Sequence, residues 1–221
     1  MDEQIERIKS KLSQLKELDS EFKQFGAKNH KYILNPPLTL SQVNQFETEY
    51  QVSLPQEYVT FLTTLGNGGA GPFHGLNTLI DSRIMYFDDS ELAQHSYFEL
   101  SKPFPYTESW NVEKELAEID EKIEQAYENG DEALEEQLLA EKSALIDLPQ
   151  NDYGRLNISD YGCGITISLI ITGEEKGNIW TDDRVNDGGI YSYAELENTG
   201  KISFLNWYEL WLDHTIKESA I

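Results

Sequence analysis

The chain has 221 residues, 39% of them apolar, and a formal charge of −23 with an isoelectric point near 4.4. That is enough apolar material for one sizeable core, so a single domain over 1–221 is expected. The charge disfavours unassisted binding to nucleic acid or an anionic membrane surface and favours a basic protein partner, although it also serves plain solubility.

The opening residues, Met1-Asp2-Glu3-Gln4-Ile5-Glu6-Arg7, hold neither a basic nor an apolar leader region. No apolar run approaches the roughly 20 residues that span a bilayer. A soluble cytoplasmic protein is expected, with secretion by a route lacking a cleavable signal left open. Residues 2–25 then read as an amphipathic helix, with Ile5, Ile8, Leu12, Leu15, Phe22 and Phe25 at three- to four-residue steps and Gly26 as its stop. The helix is expected to pack on its own domain, and it is compatible with a monomer or a homodimer.

After Asn35-Pro36-Pro37, a second helix runs to about Tyr50, with Thr39 or Ser41 as cap. Leu54-Pro55 opens a third, whose apolar stripe is Tyr58, Phe61, Leu62 and Leu65. It stops at Gly66-Asn67-Gly68-Gly69-Ala70-Gly71-Pro72. A phosphate loop would need glycines ahead of a helix and a following lysine. Here they follow a helix and the next base is Arg83, so a structural turn is expected. A short strand around Ile84-Met85-Tyr86-Phe87 and a helix over roughly 90–100, capped by Asp88 or Asp89, come next.

From Val112 to Asp147 the composition shifts. Leu116, Ile119, Ile123 and Ala126 make one helical stripe; Leu134, Leu138 and Leu145 make another, with a turn at Glu128-Asn129-Gly130-Asp131 between them. This helical hairpin holds thirteen acidic residues against three lysines, a net of −10. Its carboxylates are either solvated faces or an acidic arm for a basic partner, and at the sequence level both readings stand.

The centre of the chain is Gly162 to Arg184. Ile165, Ile167, Leu169 and Ile171 point to one face; Thr166, Ser168, Ile170 and Thr172 make a mixed second face. A turn at Gly173-Glu174-Glu175-Lys176-Gly177 leads to Asn178-Ile179-Trp180-Thr181 and a carboxylate rim, Asp182-Asp183. Ile190-Tyr191-Ser192-Tyr193 reads as an edge strand. The last helix, capped by Ser203, aligns Phe204, Tyr208, Trp211, Leu212 and Ile216.

Three segments together carry a resemblance: Leu54-Pro55-Gln56-Glu57-Tyr58-Val59-Thr60-Phe61-Leu62 with its glycine loop, Gly162-Cys163-Gly164 through Gly177-Asn178-Ile179-Trp180, and Ser203-Phe204-Leu205-Asn206-Trp207. In order and spacing they resemble the SUKH superfamily, in its Smi/Knr-like branch, over about 39–110 and 150–215. The resemblance implies an α+β domain with helices packed on a mainly antiparallel sheet, and the acidic hairpin at about 112–147 is then an insertion. It implies no catalytic residues. Bacterial members are largely immunity proteins that bind and neutralise secreted toxins, often nucleases; fungal relatives regulate cell-wall synthesis.

The expected function is therefore non-catalytic: an intracellular protein that blocks a basic toxin domain, such as a nuclease, by charge complementarity and steric exclusion. A regulatory scaffold in cell-wall synthesis or signalling is the alternative. The candidate contacts are Glu174, Glu175, Asp182, Asp183 and Asp187 around the hairpin tip and following loop, then Glu121, Glu124, Asp131 and Glu132 on the arm. An enzyme would need Cys163 beside one of His30, His74, His95 or His214, and a cysteine opening an apolar strand is expected to be a buried filler. Asp182, Asp183 and Asp187 lack the fixed glycine and terminal glutamate of a calcium loop. No metal and no cofactor is expected.

Overall fold

A computed structural model describes residues 1–84 and 98–220. Four strands form one antiparallel sheet in chain order: β1 (Arg155–Gly162), β2 (Ile165–Ile170), β3 (Ile179–Asp183) and β4 (Gly189–Ser192). Leu156 lies opposite Leu169, Ile167 opposite Thr181, and Thr181 opposite Tyr191. This register sends Leu156, Ile158, Ile167, Leu169 and Ile179 into one buried cluster.

Helices cover that face. They are α1 (Asp2–Leu18), α2 (Ala27–His30), α3 (Leu40–Tyr50), α4 (Gln56–Thr64) and α7 (Phe204–Ser219), while α5 (Glu113–Glu128) and α6 (Glu132–Ile146) form the acidic hairpin. The apolar stripes of α4 and α7 meet through their rings: Phe204 stands 4.8 Å from Tyr58 and 5.2 Å from Phe61, and Phe61 stands 5.0 Å from Tyr208. Each such buried aromatic contributes on the order of 2–3 kcal/mol. The expected α+β architecture is the observed one, and among the described residues no helix is long and apolar enough to cross a membrane.

The local signals for α3 and α4 operate as expected. Thr39 and Gln42 form a reciprocal cap, with the Gln42 amide donating to Thr39 Oγ1 at 3.3 Å and the Thr39 amide to Gln42 Oε1 at 2.9 Å. Pro55 sits at the cap of α4. The first helix is shorter than its apolar period predicts, ending at Leu18. Asp19 turns the chain there: its carboxylate accepts the Lys23 and Gln24 amides at 2.7 and 3.1 Å and the Tyr32 hydroxyl at 2.6 Å. Phe22 and Phe25 lie beyond the helix. Gly26 opens α2 with φ +75°, and a Cβ there would lie 1.5 Å from the Phe73 carbonyl oxygen. Along α1, Arg7 and Lys11 bond Glu209 of α7 at 2.9 Å each, so this helix packs on its own fold.

The second face of the sheet is also buried. Residues 98–111 cross it, with Phe104, Tyr106 and Trp110 closing over Ile170, Trp180 and Ile190. Both outer strands have neighbours. Trp110 exchanges two backbone bonds with Ile190 on β4, at 2.8 and 2.9 Å, while Leu76 bridges Ser159 and the Asn77 amide donates to the Ile158 carbonyl on β1 at 2.9 Å. Leu76 in turn bridges Gly69, and Gly69 bridges Leu34, so the glycine loop extends the sheet by single bridges. Of the expected strand near Ile84–Phe87 only Ile84 is described, and most of the helix at 90–100, with its expected cap at Asp88 or Asp89, falls outside the described residues; Phe98, Glu99 and Leu100, which are described, are not helical.

Candidate functional site

The carboxylates expected to face a partner divide into four groups. The first is interior. Asp182, 7% exposed, projects from β3 onto the second face between two guanidinium groups. Arg155 Nη2 donates to its Oδ2 at 2.6 Å, and Arg184 donates from Nη2 to Oδ2 at 2.8 Å and from Nε to Oδ1 at 2.9 Å. Both arginines also reach Asp152 Oδ1, at 2.9 and 2.8 Å. Burial alone would raise the Asp182 carboxyl, but the charge of Arg155 and the hydrogen bond and charge of Arg184 outweigh it and hold it at about 2. An aspartate read as part of a surface rim is thus the centre of a buried ion cluster.

Glu175 is interior as well, at 3% exposed, ion-paired with Lys201 and accepting from Asn178 Nδ2 at 3.0 Å. Its neighbour Glu174 is exposed. The 173–177 turn lies at the β2–β3 end of the sheet, whereas 183–189 lies at the opposite end, between β3 and β4. The five residues of β3 separate them by roughly 15 Å. Residues that are close in sequence therefore do not make one rim.

The third group joins the loop to the helical arm. Asp183 accepts from Asn186 Nδ2 at 2.6 Å, and Asp187 occupies the left-handed region with φ +61°. Lys142 of α6 reaches Asp187 at 3.1 Å and Asp120 of α5 at 2.9 Å. Although burial opposes its charge, its bonds to these two carboxylates raise the Lys142 ammonium above its ordinary range. One cation so fastens both arm helices to the end of the sheet.

Farther out, Glu121, Glu124, Asp131 and Glu132 are exposed, and Asp131 caps α6 by accepting the Leu134 amide at 3.2 Å. At 1.5 Å per residue, Glu132 lies about 15 Å along α6 from Lys142. The arm itself is thin. Leu116, Ile119 and Ala126 are buried on α5 but only Leu138 on α6, and Leu134, Leu139 and Tyr127 are exposed.

Sequence reasoning missed Arg155, Arg184 and Lys142. The available signal was Asp182 itself, since a carboxylate inside an otherwise buried strand requires a cation. Cys163 also differs from expectation: it is exposed, at φ +52° in the turn between β1 and β2, its carbonyl accepting from Asn186 Nδ2 at 3.2 Å. His30 is buried, accepting the Tyr32 amide at Nδ1, and His214 pairs with Glu218. Among the described residues no group of carboxylates, histidines or cysteine is arranged to hold a metal ion.

Two grooves stand out on the helical side. The one between α1 and α4, about 660 Å³, is open, lined by Glu3, Glu6, Arg7 and Lys9 among others, and carries no aromatic ring. A smaller one, about 200 Å³, lies where Phe25, Phe73, Tyr161 and Trp211 converge. Comparison with curated proteins and with solved structures found no match. A family model does match: the chain belongs to the SMI1 / KNR4 family (SUKH-1), whose model matches residues 37–205, a span that holds β1–β4 with α3 to α6.

Proposed function

We propose that this chain is a non-catalytic binding protein that acts inside the cell, seating on a basic toxin domain such as a nuclease and keeping substrate out. The observation that carries this reading is the acidic arm pinned to the sheet by Lys142, with eleven of its thirteen carboxylates exposed. A nuclease gathers cations to hold phosphates, so its cleft complements such a surface. Complementary charge steers encounter, with rates that reach the order of 10⁸–10⁹ M⁻¹ s⁻¹ at low salt. Family membership supports a binding role.

On this reading Asp183, Asp187, Glu121, Glu124, Asp131 and Glu132 form the contact surface, and the arm is an insertion within one domain. Glu174 belongs to a separate end of the molecule, and Glu175 and Asp182 hold the fold. Co-expression with toxin domains encoded beside the gene, scored as growth rescue, tests the proposal. Replacing 112–147 by a short linker is expected to abolish rescue while the sheet stays folded. Full rescue without the arm refutes its part in binding.

A further inference from the structure

The groove at Phe25 and Tyr161 is not used by the acidic surface, and its chemistry points elsewhere. Its rings approach at an angle: Phe25 stands 6.2 Å from Tyr161 at 56°, and Tyr161 stands 4.4 Å from Phe73 at 53°. Trp211, His214 and Glu218 of α7 also line it; His214 Nε2 is 3.3 Å from Glu218 Oε1, and the Glu218 side chain is about half exposed. Phe25 is 60% exposed and Tyr161 38%. About 200 Å³ is below the roughly 300–1,000 Å³ that drug-sized ligands occupy, so the space fits one side chain.

Two features decide which side chain. An aliphatic plug would add no donor to the Glu218 carboxylate beyond His214, which already lies 3.3 Å from it. A guanidinium can stack on the faces of Tyr161 and Phe25 and donate to that carboxylate at once, which ammonium does less well. The field of a chain with formal charge −23 favours the same choice. The position fits too. Tyr161 runs into the 162–164 turn, which lies against Val185 and Asn186, so the groove and the Asp183–Asp187 corner share one end of the sheet. We propose that this aromatic groove receives an arginine side chain of the basic partner and acts as an apolar anchor at the end of the sheet where Lys142 fastens the acidic arm. The proposal deepens the binding function above and rests on it for the identity of the partner, but not for the chemistry of the groove.

The probe is N-acetyl-arginine amide, titrated into the ¹⁵N-labelled full chain, with the citrulline and norleucine amides as neutral and apolar counterparts. The arginine probe is expected to shift the amides of Phe25, Phe73 and Tyr161 and the Trp211 indole, with citrulline about two- to fivefold weaker, the scale of an exposed cation–π contact. Phe25→Ala, at an exposed position, and Glu218→Gln should each weaken the arginine probe by a similar factor without unfolding the protein. Equal binding of citrulline, stronger binding of norleucine, shifts confined to 113–146, or no shift at all overturns the proposal. Groove signals that move with protein concentration alone would assign the groove to a second copy and likewise overturn it. Because no toxin is used, failure here leaves the rescue experiment standing, and arginine binding without rescue removes only the toxin reading.

Discussion

Replacing Asp182 with asparagine separates a structural aspartate from a partner-binding one. The substitution keeps the shape and removes the charge, leaving the buried Arg155 and Arg184 to share the Asp152 carboxylate, which is itself 20% exposed. Breaking one side of a buried ion cluster costs about 3–5 kcal/mol, against a total stability of about 5–15 kcal/mol for a domain. A second signature comes from pH. The Asp182 carboxyl is lowered from 3.8 to about 2, so its contribution is present above 3.8 and lost as pH falls through about 2. That difference amounts to about 2 kcal/mol. Equilibrium urea unfolding should therefore show Asp182→Asn weakened by at least about 3 kcal/mol at pH 7, and less dependent on pH between 4 and 2 than the parent. A loss under about 1 kcal/mol, together with impaired partner binding, would refute the buried-cluster account.

Lysine in place of Glu121, Glu124, Asp131 and Glu132 together should slow association with a toxin identified by rescue by at least about tenfold at low salt, with the difference shrinking as ionic strength rises. Lys142→Met should raise hydrogen exchange throughout 113–146 while costing about 1 kcal/mol or less in global stability, since the lysine is partly solvated. His30 is held at about 4 by burial, against an ordinary 6.5, with the charge of Asp19 opposing the shift. A depressed histidine stabilises above 6.5 and loses that contribution as pH falls toward 4, about 3 kcal/mol in all, so His30→Asn should flatten the stability profile in this window. Cys163 should react rapidly with a thiol reagent in the folded state; slow labelling would contradict its exposure.

Much of the architecture was legible because its signals are local. Leu116, Ile119 and Ala126 announce α5 by spacing, and Thr39, one of two candidate caps, announces the start of α3. Misreadings arose where a distant or competing interaction overrode the pattern. Phe22 and Phe25 continue the period of α1, but Asp19 draws the Lys23 and Gln24 amides and the Tyr32 hydroxyl to itself and ends the helix. Cys163 stands where an apolar strand opens, but its two flanking glycines mark a turn; Gly162, Cys163 and Gly164 all have positive φ. Asp182 looked peripheral because the strand leads into charged residues, while its cation Arg155 comes 27 positions earlier. Sequence proximity groups Glu174 with Asp187, and the length of an intervening strand sets them apart.

The neighbours of the two outer strands restrict how anything can be recognised. Many peptide-binding folds capture a ligand by hydrogen-bonding its main chain along an unpaired border, a mode nearly indifferent to side chains. Here Trp110 occupies that border beside Ile190, and Leu76 with Asn77 occupies the other beside Ser159 and Ile158. A ligand is left to read protruding groups, which makes discrimination among similar partners a matter of individual substitutions at the surface, free to change while the framework beneath stays constant.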